Sequence, residues 1–145
     1  MVKERFKNII CADILIKKIV NDEEYVLLMK RKNTGSNDGE YELPGGHLEE
    51  NEDIFDAMIR EMKEELLLDL KREDIKIIHL MHHYTGQRLN FIFEADGTNL
   101  KPEIGEKNKC SELRWVNIKS LPVETTSKVK LIINNILENK FYDKL

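Results

Sequence analysis

Residues 45–68 read GGHLEENEDIFDAMIREMKEELLL. From Glu52 to Leu68 no glycine or proline interrupts the chain, and Ile54, Phe55, Met58, Ile59, Met62 and Leu66 recur at helical spacing. The stretch predicts an amphipathic helix over 52–68. At roughly 100° per residue, Arg60, Glu61, Glu64 and Glu65 share one arc of about 140°, and Met58, Ile59, Met62 and Leu66 take the opposite arc. Glu61 is three residues from Glu64 and four from Glu65, so these carboxylates are neighbours that repel one another. Acidic faces are commonly just solvated surface. Here the crowding also suits a hard dication, and for oxygen-only donors that is Mg²⁺, with Mn²⁺ as a substitute.

Outward from the helix, strands and turns alternate. On the N-terminal side, residues 6–18 are apolar on both faces and predict a strand covered on both sides. Residues 21–24 (NDEE) predict a turn, and 25–31 its hairpin partner. Residues 33–46 carry Gly35, Gly39, Pro44, Gly45 and Gly46 and predict a loop. On the C-terminal side, strands are expected at 75–84, 88–95 and 112–116, with a polar loop over 96–111. A closing helix is expected over 127–141, with Val129, Ile132, Ile133, Ile136 and Leu137 inward. Strict βαβ alternation is missing, which favours an α+β fold: one domain over 1–145, a mixed β-sheet sandwiched between α-helices.

Composition narrows the function classes. Of 145 residues, 41% are hydrophobic and 34% charged, as in a globular domain with a charged surface. Lys and Arg number 23 against 27 Asp and Glu, a net charge of −4, so no basic stripe is available for duplex nucleic acid. The two cysteines, Cys11 and Cys110, make no disulfide framework and read as buried free thiols in a reducing cytoplasm. No apolar run is long enough to span a membrane, and Asp13, Lys17 and Lys18 interrupt the apolar start as no signal peptide would.

Gly46, Glu52, Arg60, Glu61, Met62, Glu64, Glu65 and Leu68 together resemble the Nudix box, G-x5-E-x7-R-E-U-x-E-E-x-G-U with U aliphatic. Residues 41–46 (YELPGG) resemble the entry into that box. Residues 109–116 (KCSELRWV), followed by Leu121-Pro122, are similar to the C-terminal strand of MutT-like nucleotide hydrolases. One position departs: Leu67 stands where the pattern has a glycine that ends the helix in a left-handed conformation. A leucine meets a steric cost there, so the helix is expected to continue past Leu67 or to end by another turn.

The resemblance implies a Nudix fold and hydrolysis of a pyrophosphate bond in a nucleoside diphosphate linked to another group. A (deoxy)nucleoside triphosphate giving monophosphate and pyrophosphate leads. Dinucleoside polyphosphates, ADP-ribose and nucleotide sugars follow, then a non-catalytic nucleotide-sensing module. It implies that Glu61, Glu64 and Glu65, with the Gly45 carbonyl, hold Mg²⁺, which neutralises the pyrophosphate and acidifies water. Arg60 is expected to orient a catalytic glutamate, and Glu52 to support the loop or a further metal. The general base is a box glutamate or a glutamate of the later loop, which carries Glu103 and Glu106. Glu106, four residues before Cys110, is preferred, as base and metal ligand.

Substrate contacts are less sharply marked. Lys30, Arg31 and Lys32 precede the box loop, and Arg88 follows it; Arg31 and Arg88 are the candidates for phosphate oxygens. Asn90 is placed to read a base edge, and His83 and Tyr84 to line the same pocket. His82 and His83 are adjacent on a strand and point to opposite faces, which excludes a shared zinc ion. Glu124 stands where relatives selective for oxidised guanine carry an asparagine, which argues against that preference. The small-molecule nucleotide is the expected partner, for a monomer or homodimer working in the cytoplasm.

Overall fold

The computed structural model describes residues 2–145. Eight strands form one mixed sheet with a helix on either face. In chain order these are β1 (Ile9–Val20), β2 (Glu23–Arg31), β3 (Tyr41–Glu42), β4 (Gly45–His47), α1 (Ile54–Leu66), β5 (Lys76–His83), β6 (Arg88–Asp96), β7 (Cys110–Asn117), α2 (Ser127–Leu137) and β8 (Tyr142–Lys144). A single 3-10 turn, Arg72–Asp74, follows α1. The order across the sheet is β3-β2-β1-β6-β5-β8, with β4 added to β1 and β7 to β2.

β1 is the axis of the sheet. One edge pairs in parallel with β6 along its length, Ile9 opposite Arg88 to Lys17 opposite Asp96. The other edge is divided: Cys11–Asp13 pairs with β4, and Lys17–Val20 with β2. Alternation along the strand sends Ala12, Ile14 and Ile16 into a core with Met58, Met62 and Leu66 of α1. Leu15 enters a second core with Val129, Ile132 and Ile133 of α2. The α+β sandwich expected from the sequence is the observed architecture.

Several boundaries differ from expectation. β1 begins at Ile9 and runs to Val20 because Asn21 and Asp22 both take positive φ, 52° and 64°, and close a two-residue hairpin. The segment 33–46 is not all loop: Tyr41–Glu42 pairs with Met29–Lys30, and Gly45–Gly46 with Ala12–Asp13. The last helix stops at Leu137. Asn139 turns the chain with φ 58°, and β8 then adds to β5 in parallel. Tyr84 lies beyond the end of β5, in the turn to β6.

Candidate active site

The two ends of α1 are held differently. At the start, the Asp53 carboxylate accepts from the Asp56 N–H at 2.9 Å and the Asp56 carboxylate accepts from the Asp53 N–H at 3.1 Å, a reciprocal cap. Arg72 bridges both acids, at 2.8 Å and 3.1 Å. At the far end Leu67 takes φ 55° and ψ 36°, the left-handed conformation itself. This corrects the expectation of a longer helix or a different turn. The flanking Leu66 and Leu68 are both buried in the α1-side core while Leu67 is 56% exposed, so packing on either side overrides the local steric cost.

Arg60 is the hub of the polar face. Its Nε and Nη2 donate to the two Glu52 oxygens at 3.0 and 2.7 Å, a bidentate pair. Nη1 donates to Glu61 at 2.9 Å and to Glu64 at 3.4 Å, and Nη2 also donates to the His47 carbonyl at 3.0 Å. Glu49 adds an ion pair at 3.5 Å. Glu52 in turn accepts from the Glu49 N–H at 2.8 Å, so it fastens the loop before the helix. Among these partners Glu49 and the His47 carbonyl were not foreseen; Glu49 reads in the sequence as one acid among several.

Behind the hub the glutamates crowd against β4. A Cβ added at Gly46 would overlap the Glu61 carboxylate, so a larger residue there would displace that side chain from the strand. The Gly45 N–H donates to Glu65 at 3.4 Å. Burial, then hydrogen bonding and repulsion from Glu61, push the Glu65 carboxyl up to about 9; Glu106 adds a smaller push. The Arg60 guanidinium bridges the Glu61 and Glu64 oxygens, and among the described residues no three acidic, His or Cys side chains converge as a ready cage. The donor set nevertheless fits a divalent cation: oxygen ligands only, a buried carboxyl pressed against the Glu61 carboxylate, and the β4 backbone beside them.

The candidate substrate residues lie apart from this set. Asn90 is buried, and its Nδ2 donates to Asp13 at 2.6 Å on the α2 face of the sheet. Strand register puts Arg88 and His83 on that face as well. The two faces meet at β4, where Gly45 packs against Asp13 and Gly46 against Glu61. Arg31 donates to the Ser36 carbonyl at 2.7 Å, within its own loop. Tyr84 is half-exposed, edge-on to His82 and beneath the Lys144 ammonium. Asp13 was not singled out, although an acid inside an otherwise apolar strand is a visible signal. Burial raises its carboxyl above the ordinary range, and Glu42, near it, is raised for the same reason. A recess of about 430 Å³ at the other end of β1 holds Lys17, Lys76 and Glu94, already paired with one another at 2.8 and 3.2 Å. No helix of the described residues is long and apolar enough to cross a membrane.

Comparison with known proteins places these features. The family model described as NUDIX domain matches residues 13–134. A curated Caenorhabditis elegans relative, provisionally named nudix hydrolase 1, is 30% identical over 115 residues, 79% of this chain; the chain spans 30% of that protein's length. The crystal structure of MutT NUDIX hydrolase from Burkholderia pseudomallei superimposes with TM-score 0.74 at 24% identity, over 90% of this chain and 98% of that one. A bifunctional NMN adenylyltransferase/ADP ribose pyrophosphatase from Francisella tularensis, complexed with AMP and Mn ion, gives TM-score 0.68 at 25% identity, over 95% of this chain and 43% of that one.

Proposed function

This chain belongs to the NUDIX domain family, and from that premise we propose that it is a pyrophosphohydrolase. It cleaves the pyrophosphate bond of a nucleoside diphosphate linked to another group, and its leading substrate is a (deoxy)nucleoside triphosphate, released as monophosphate and pyrophosphate. The observation that carries the reading is the intact set around Arg60, which holds Glu52, Glu61 and Glu64 within 3.4 Å while Glu65 bonds the β4 backbone. A module that only senses nucleotides has no use for three carboxylates crowded on one helix face.

Each residue then has a task. Glu61, Glu64, Glu65 and the Gly45 carbonyl hold the divalent cation, Mg²⁺ or Mn²⁺. The cation, when bound, neutralises phosphate charge and makes water more acidic. Arg60 fixes the Glu61 carboxylate by a charge-assisted bond and anchors the loop through Glu52, so the acidic face is oriented before substrate arrives. Glu106, on the loop whose Gly105 N–H bonds the Glu65 carbonyl, serves as proton acceptor and further ligand. Arg88, His83 and Asn90 face the nucleoside from the other side of β4, and Arg31 and Tyr84 contact it from the loop and turn that flank the sheet. The Francisella neighbour's ADP ribose pyrophosphatase activity favours ADP-ribose as the second reading.

A product-release assay decides between them. The panel contains canonical and oxidised nucleoside triphosphates, ADP-ribose, dinucleoside polyphosphates and nucleotide sugars, each with Mg²⁺ and with Mn²⁺. The expected result is pyrophosphate release from a nucleoside triphosphate; consumption of none of these compounds removes the proposal.

A further inference from the structure

The segment between β6 and β7 contains the run Pro102-Glu103-Ile104-Gly105-Glu106. Its backbone is bonded to the end of α1: the Glu103 N–H donates to the Leu66 carbonyl at 3.0 Å and the Gly105 N–H to the Glu65 carbonyl at 2.8 Å. Carbonyls in a helix's last turn have no partner inside the helix. Here the left-handed Leu67 returns two N–H groups to Met62, its own and that of Leu68, and the loop takes the carbonyls of Glu65 and Leu66. Ile104 packs into the α1-side core and fixes the loop from below.

Gly105 is the point of closest approach. A Cβ built on it would overlap the Glu64 carbonyl oxygen and lie 3.2 Å from the Leu67 side chain. No other residue fits without moving the loop away from the helix. The next residue is Glu106, one peptide beyond the N–H that bonds the Glu65 carbonyl. The loop is therefore bonded to the peptide carbonyl of Glu65, a candidate ligand, and pressed against that of Glu64, another.

We propose that Gly105 is a positioning residue: by clamping the loop to the C-terminal carbonyls of α1, it sets Glu106 against Glu64 and Glu65 at the cation site. The proposal rests on the assignment of Glu106 to that site, and the test separates the two. Mn²⁺ binding is titrated by the EPR signal of the free ion for the unaltered chain, Gly105→Ala, Glu106→Gln and the double variant, alongside kcat and KM for the nucleotide the release assay identifies. Gly105→Ala should bind Mn²⁺ about 10- to 100-fold more weakly and lose kcat rather than gain KM, as expected of a group that orients a ligand. Glu106→Gln should lose a similar factor, and the double variant should be no weaker than Glu106→Gln alone.

Gly105→Ala that keeps its circular dichroism and binds Mn²⁺ like the unaltered chain overturns the proposal, as do losses that multiply in the double variant. Glu106→Gln with unchanged affinity and rate removes Glu106 from the site, and the clamp's purpose with it. Should Gly105→Ala fail to fold, amide exchange in the unaltered chain decides. The Glu103 and Gly105 amides should be protected like the last turn of α1 and gain protection with Mg²⁺; exchange at the rate of an open loop, with or without Mg²⁺, overturns the clamp.

Discussion

Arg60 reaches Glu49, Glu52, Glu61 and Glu64 and is itself only 21% exposed, so its charge is spent inside the site rather than on solvent. The glutamates it holds differ in accessibility. Glu61 is 12% exposed and Glu64 51%. Of these two, Glu64 is the acid whose loss disturbs the fold less. Glu64→Gln should keep the melting temperature within a few degrees while turnover falls by at least about 100-fold, the upper end of what removing an outer-shell partner costs. Steady-state rates that stay near the starting value would take Glu64 out of the ligand set.

Glu65 gives a second test at this scale. Its folded-state carboxyl titrates near 9, against 4.5 for an ordinary glutamate, so the folded chain holds a proton that the unfolded chain releases. The stabilisation is complete below the unfolded value and is lost as pH rises through the folded one. In protein stripped with chelator, the melting temperature should fall between about pH 5 and pH 9, and Glu65→Gln should flatten that slope. A slope that Glu65→Gln leaves unchanged would assign it to other groups.

At the scale of the element, α1 carries a conflict between local preference and packing. Leu67 holds a left-handed conformation that costs an L-residue roughly 1–2 kcal/mol. Leu67→Gly should therefore raise the denaturant midpoint, with the unfolding free energy up by about 1 kcal/mol after the extra backbone entropy of glycine in the unfolded chain is subtracted. A lower midpoint would mean that contacts of the Leu67 side chain outweigh the strain.

This element also shows how far sequence reading reaches. The apolar spacing of Met58, Met62 and Leu66 and the acidic arc were both legible, because each follows from 3.6 residues per turn. The end of the helix was not. Whether Leu67 accepts positive φ depends on Leu66 and Leu68 being buried on the sheet, a property of the assembled fold. Likewise Asn90 was legible as a polar residue in a strand, but its bond to Asp13, 77 positions away, depends on parallel pairing of β1 with β6.

At the scale of the molecule, the proposed cation site exists only in the folded state, so Mg²⁺ should raise the melting temperature and chelator should return it. The rise should grow with concentration as binding linkage requires, and it should shrink in Glu64→Gln. An unchanged melting curve up to millimolar Mg²⁺ would argue that the acids face solvent without an ion.

The division of β1 bears on how the chain acquires its shape. Residues 9–17 find their long parallel partner only at 88–96, so the strand that backs α1 is incomplete until the polypeptide has been made well past the acidic helix. Pairings this distant in sequence form late and slowly. A nascent chain ending before Arg88 would carry every box residue and still lack the strand that completes β1, so the platform beneath the acidic helix is finished by a later strand that contains none of the box residues.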